Sequence, residues 1–140
     1  MELADALEHA RAHNQGVLIT HRKDGRAQPS NIVHVVGDDG LIRISVTDTR
    51  AKTKNLRRDP RCELYVVGDN FWKYLVFDAE CELSPVTTDP NDATADELVD
   101  YYRAVRGEHE NWDEYRQSMV HDQRLVARLR PSRAYGMWST

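Results

Sequence analysis

Asp24-Gly25 and Asp39-Gly40 cut the first third of this chain into three strand-like runs, and that spacing commits it to a β-meander before any other element is placed. Asp-Gly is a strong short-range hairpin signal, because a type I′ turn needs positive φ at both central residues, which Gly and Asp tolerate best. The runs flanking the turns are 16–22, 26–36 and 42–47. In the third, Ile42, Ile44 and Val46 face one way and Arg43, Ser45 and Thr47 the other, as in a half-buried strand. Cys62-Leu64-Val66, Leu75-Phe77-Ala79-Cys81-Leu83 and Leu125-Ala127-Leu129 repeat the alternation. Pro29 marks a bulge or an edge position in the second run. The pattern predicts a mainly β (α+β) fold, a six-stranded antiparallel closed or split β-barrel with peripheral helices.

The helices surround these strands. Leu3, Leu7 and Ala10 form one stripe of an amphipathic helix over 2–13 that ends near Gly16. Thr94 with Glu97 reads as a capping box for a helix ending at Gly107, and Asn111 with Glu114 as a second N-cap. Trp112, Tyr115 and Met119 then fall at helical spacing, as core or dimer packing would place them. With 140 residues, 40 % of them hydrophobic, the chain suits one domain spanning 1–140. Its start lacks the basic and continuously apolar stretches of a signal peptide, and no later segment suits a membrane span, so a cytoplasmic protein without membrane contact is expected. Cys62 and Cys81 have no CxxC spacing and read as inert core thiols. No nucleophile elbow or HExxH motif is present, and no metal site is expected; of six scattered histidines, only His34 stands where a proton donor or an interior spectator would.

The net charge of −4 is unevenly spread. From Arg50 to Arg61 six cations face Asp59 alone, whereas Asp78 to Glu114 holds twelve acids against Arg103 and Arg106. The cation run begins where a helix does: Thr49 can cap it, and Asp59-Pro60 ends it. Free N–H groups and the helix dipole favour an anion at such an N-terminus; Arg50 can fork onto two phosphate oxygens and Lys52 adds a point charge. Nucleic-acid binding is disfavoured, since the total charge is negative and no aromatic residues interleave with the cations.

The run 16–20, then Asp24 to Asn31, then Arg50-Ala-Lys-Thr-Lys-Asn-Leu-Arg-Arg-Asp-Pro-Arg61, resembles the flavin- and deazaflavin-binding split β-barrel family related to pyridoxamine 5′-phosphate oxidase. Trp112-Asp-Glu-Tyr-Arg116 and Pro131-Ser-Arg-Ala-Tyr-Gly136 resemble its actinobacterial branch that uses coenzyme F420. The resemblance implies a homodimer with two cofactor sites at the subunit interface. It assigns Arg50, Lys52 and Thr53 to the cofactor phosphate, Gln28, Pro29, Ser30 and Asn31 to the ring and ribityl chain, and Ser45, Val46 and Thr47 to the adjacent wall. Trp72 and Lys73 fall where a second subunit would approach, although Trp72 reads equally well as a loop aromatic buried by dimerisation.

Both F420 and FMN end their polyol in a phosphate. F420 continues into an oligoglutamate tail, and the surplus cations Arg22, Lys23, Arg26, Lys54 and Arg57 favour that longer anion, as does the branch resemblance. The implied activity is an F420-dependent oxidoreductase that moves a hydride to an unsaturated small molecule. The alternatives are an FMN-dependent oxidase of the pyridoxamine phosphate type and a non-catalytic F420 carrier, which would share the same binding residues.

Overall fold

The computed structural model describes residues 1–138. Helix α1 (Leu3–Ala12) leads into strands β1 (Gln15–His21), β2 (Ala27–Val33), β3 (Val35–Val36) and β4 (Ile42–Thr47), then helix α2 (Ala51–Arg58). Strands β5 (Arg61–Val67) and β6 (Tyr74–Leu83), helices α3 (Ala93–Arg106) and α4 (Trp112–His121), and strand β7 (Arg124–Met137) complete it. The strands form one antiparallel sheet in the order β2-β1-β5-β6-β7-β4-β3, a split β-barrel with peripheral helices.

There are seven strands rather than six, because the run 26–36 breaks at His34. Its first part pairs with β1 and its second with β4. The chain thus crosses from one end of the sheet to the other at one residue, and the two end strands are covalently joined without a ladder between them. That is the split. Pro29 is accommodated by an edge position: it lies opposite Ile19 in unbroken register, on a strand whose other side has no partner. The Asp-Gly hairpins are also built differently from the expectation. Gly25 and Gly40 have φ of 88° and 80°, but neither Asp24 nor Asp39 has positive φ. Gly25 N–H bonds to Arg22 O and Arg22 N–H to Arg26 O, so the loop is a three-residue turn closed by a left-handed glycine rather than type I′.

The inward residues of the alternating strands, including Leu18, Ile42, Ile44, Leu64, Leu75, Phe77, Leu125 and Leu129, are fully buried in one core. Helix α1 closes it with Ala6 and Ala10, while Leu3 and Leu7 pack partly buried against it. His34 is 1 % exposed, its Nε2 on Ala10 O at 2.9 Å, and burial pulls its pKa below the ordinary value. It is an interior residue that ties α1 to the strand crossover, which removes it as a proton donor to a ligand. Both cysteines are free; burial raises Cys62 strongly and Cys81 to about 12, so neither is a ready thiolate. β7 runs far past Leu129, and a bulge at Asp78/Ala79 lets its long ladder with β6 absorb Pro131.

Two helix starts differ from the sequence reading. Asp92 caps α3, accepting from Ala95 N at 2.8 Å, while Thr94 Oγ1 donates to Pro85 O and Glu97 turns inward to Arg43 and Arg128. The Thr94/Glu97 capping box therefore does not form. Asn111 caps α4 as expected, through Glu114 N.

Candidate functional site

The unladdered gap between β2 and β4 is a groove of about 580 Å³, lined by residues that include Gly16, Asn31, Ile32, Val33, Ser45 and Lys52. β2 is an end strand, and β4 is open on one side beyond Arg43, where its short ladder with β3 stops, so both walls present backbone N–H and C=O groups that no other strand takes up. Tyr101 of α3 ties the walls at one end. Its hydroxyl donates to Val33 O on β2 at 2.7 Å and faces the Ser45 amide of β4; burial raises its pKa, so the phenol stays neutral.

Helix α2 closes another side. Arg50, not Thr49, is its N-cap, and no side chain bonds the first-turn amides. Those N–H groups, aligned with the helix dipole, are the acceptor-seeking feature of this end of the groove. Lys52 Nζ donates to Ser30 Oγ at 3.1 Å. Its pKa is lowered, first by burial and then by the charges of Arg124 and Arg50. Among the described residues no carboxylate pairs with Arg50, Lys52 or Arg124, so three cations share this region without an acid. A phosphate fits Arg50, Lys52, Ser30 and the start of α2: a fork of charge, an ammonium, a hydroxyl and a helix N-terminus.

The residues expected at the site separate into groups. Ser30, Asn31, Ser45 and Lys52 meet at the groove. Gln28 sits beneath α2, where Oε1 accepts from Asn55 Nδ2 at 2.8 Å, and the same amide reaches Thr20 Oγ1 at 3.1 Å. Pro29 is exposed on the β2 edge. Val46 turns its side chain into the core and offers only backbone. Thr53 is fully buried, its hydroxyl spent on Thr47 O at 2.7 Å, so it fixes α2 against β4. Trp72 and Lys73 sit in the β5–β6 loop; Trp72 is 76 % exposed, stacked edge-on with Phe71, and Lys73 pairs with Asp69. Neither bonds to the groove residues. Of the extra cations, Arg22 and Arg57 pair with Asp24 and Asp48.

Arg124 and Tyr101 line the groove without having been singled out. Arg124 precedes the alternation of β7 and lies opposite Thr47. Pairing that strand with β4 from sequence would have found it. Tyr101 lies on α3, and nothing local in the sequence ties it to β2 or β4.

Residues 2–138 match the sequence family described as pyridoxamine 5′-phosphate oxidase. The chain belongs to this family. Among solved structures, one described as an F420 reductase is 23 % identical, with a TM-score of 0.67 over 91 % of this chain and 94 % of that one. A conserved hypothetical protein from Mycobacterium tuberculosis is 20 % identical, with a TM-score of 0.73 over 96 % and 82 %. A heme storage protein from Vibrio cholerae is 16 % identical, with a TM-score of 0.69 over 97 % and 95 %. At these identities the likeness is one of fold. It places this member of the pyridoxamine 5′-phosphate oxidase family among proteins that differ in what they hold, so the ligand must be argued from the groove.

Proposed function

We propose that this protein is an oxidoreductase that binds F420 in the groove between β2 and β4, at the interface of a homodimer, and reduces an unsaturated small molecule. The observation that carries the reading is the acid-free set Arg50, Lys52 and Arg124 beside the open N-terminus of α2. Lys52, Ser30 and the α2 amides would hold the cofactor phosphate, with Arg50 completing the fork. The strand edges at Asn31 and Ser45 would take the polar rim of the ring through backbone groups. When bound, a deazaflavin supplies a hydride and reacts poorly with oxygen, so the chain's own residues have only to position the ring, exclude water and neutralise charge. Lys54, exposed on α2, and the exposed Lys23 and Arg26 of the β1–β2 turn would suit a polyanionic tail.

Dimerisation is supported by the outer sheet face. Val17, Tyr65 and Val76 lie in one register across β1, β5 and β6, with Ile19 and Tyr74 in the neighbouring rows, and Val67, Phe71, Trp72, Tyr135 and Met137 continue the patch exposed. A face of that character suits a partner surface. Val67 also lines the groove, so a second copy seated there would complete one wall and bring Trp72 toward the ligand.

Titration of the protein's tryptophan fluorescence with F420, and in parallel with FMN, tests the reading. Saturable F420 binding with weaker FMN binding is expected. Preference for FMN would move the protein to flavin chemistry, and binding of neither would sink the assignment. Absence of turnover with F420 bound, across enone, quinone and tetrapyrrole acceptors, would instead favour a carrier.

A further inference from the structure

Beside the groove lies a second recess, of about 380 Å³, between α3 and α4. The two spaces share Ser45, Tyr101 and Arg124, so one opens onto the other across those side chains. The far wall of the recess is aromatic. Tyr102 and Tyr115 have ring centroids 4.9 Å apart, and His109 stands 5.2 Å from the first and 5.5 Å from the second. Trp112 backs this group from the start of α4. Tyr115 is fixed there, its hydroxyl donating to Leu98 O. Flat, rigid ring surfaces around a space of this size favour a flat, conjugated guest.

Arg124 sets the charge of that guest. Gln123, in the left-handed region at φ 55°, turns the chain out of α4 and delivers Arg124 as the first residue of β7. The guanidinium is only loosely engaged: Nη1 reaches Ser45 Oγ at 3.4 Å, and the buried Nε has no acceptor among the described residues. An arginine carries five donors, and a buried one left open costs free energy unless an acceptor arrives. Glu114 is the one carboxylate lining the recess; it is exposed on α4 and makes no bond to Arg124. The cofactor phosphate has Arg50, Lys52 and the α2 amides to hold it, so Arg124, which also lines the recess, is left for a second anion.

Resting on the groove as the cofactor site, we propose that the α3–α4 recess is the substrate pocket, and that it takes a planar conjugated molecule carrying an anionic oxygen, anchored by Arg124. The acceptor's conjugated end then faces Ser45 and Tyr101, where the recess meets the groove, and its flat body lies against Tyr102, His109 and Tyr115.

The test is an NMR shift titration of the cofactor-free protein with 2-naphthoate, with 2-naphthylmethanol as its uncharged analogue. The expected result is shifts centred on Tyr102, Tyr115 and Ser118, with naphthoate binding about tenfold more tightly than the alcohol. Arg124→Gln should bring the two ligands to similar affinity. Ser118→Trp, at an exposed position that lines the recess and not the groove, should abolish binding of both while F420 affinity stays within about twofold. Equal binding of acid and alcohol to the unaltered protein, a preference that survives Arg124→Gln, or shifts centred on the groove would overturn the proposal. F420 binding is scored in its own titration, so a failure of the cofactor reading is told apart from a failure of the recess.

Discussion

Two clusters of cations stand on the same β4–β7 ladder, and they are built on opposite rules. At one end Arg43 lies directly across from Arg128, a like-charge pairing that would repel by itself. Glu97 of α3 enters between them, accepting from Arg43 Nε and Arg128 Nε at 2.8 Å each, while Asp39 takes the Arg43 fork and Glu82 the remaining Arg128 donor. Four residues along the ladder, Arg124 lies across from Thr47, with Lys52 and Arg50 nearby and no carboxylate among the described residues paired with them. Charge that is matched in place holds α3 to the sheet. Charge left unmatched costs stability in the empty protein and is the feature by which an anion would be recognised.

The comparison breaks most readily at the matched end. Glu97→Gln keeps the shape of the side chain but leaves two half-buried guanidinium groups facing each other. A loss of about 3 kcal/mol is expected, at the low end for removing one member of a buried ion pair because both arginines keep some water contact. Thermal unfolding would show it as a drop in Tm on the order of 10 °C. The pH dependence has a definite sign. Burial alone would raise Glu97, but the bonds from Arg128 and Arg43 outweigh it and hold its pKa below the usual carboxylate value. This contribution is complete above the unfolded pKa and disappears as pH falls through the lowered folded one. The Gln variant should therefore lose less stability on acidification than the parent; an identical acid slope would show that Glu97 is not carrying the clamp.

The contrast also explains what could be read from the sequence and what could not. The strand alternation of 42–47 and 75–83 and the Asn111 cap are local features, and each appears where the pattern puts it. The cations at 50–52 were legible for the same reason, since a helix start announces its own charge. Glu97 was legible only as a capping residue; its partners lie 54 and 31 positions away, and pairing across such distances is decided by the fold. Arg124 was missed for the same cause. The crossover at His34 is the clearest case, because a single strand-like run over 26–36 gives no local sign that its two halves join opposite ends of the sheet.

At the unmatched end the second prediction concerns binding. Lys52→Ala removes an ammonium from the acid-free cluster and leaves Ser30 without its donor. If the cluster holds the cofactor phosphate, F420 affinity should fall by about 2 kcal/mol, roughly thirtyfold, as for loss of one hydrogen bond to a charged group. Circular dichroism should remain that of the parent, since Lys52 is only half-buried on the first turn of α2. Affinity unchanged in this variant would show that the phosphate is not held at α2.

The smallest effect is the sharpest test of the contrast, because its sign is reversed between the two clusters. In the empty protein, Lys52 is half-buried beside Arg124 and Arg50, and its pKa is lowered by burial first and by those two charges next. A lysine whose folded pKa lies below its unfolded one weakens the fold while charged. Stability should then rise as pH climbs through the lowered folded pKa, until the unfolded chain also loses its proton. Lys52→Met, which keeps the stem and removes the charge, should raise the Tm of the cofactor-free protein. Solvent screening of the half-exposed ammonium keeps the gain under about 1 kcal/mol, or a few degrees. It should also remove the alkaline rise. With F420 bound the order inverts, because ligand stabilisation grows with affinity and the parent binds the more tightly. A Lys52→Met protein that is less stable than the parent without cofactor would mean that the ammonium is already satisfied within the fold, and the groove would then lose its claim to be built around an anion.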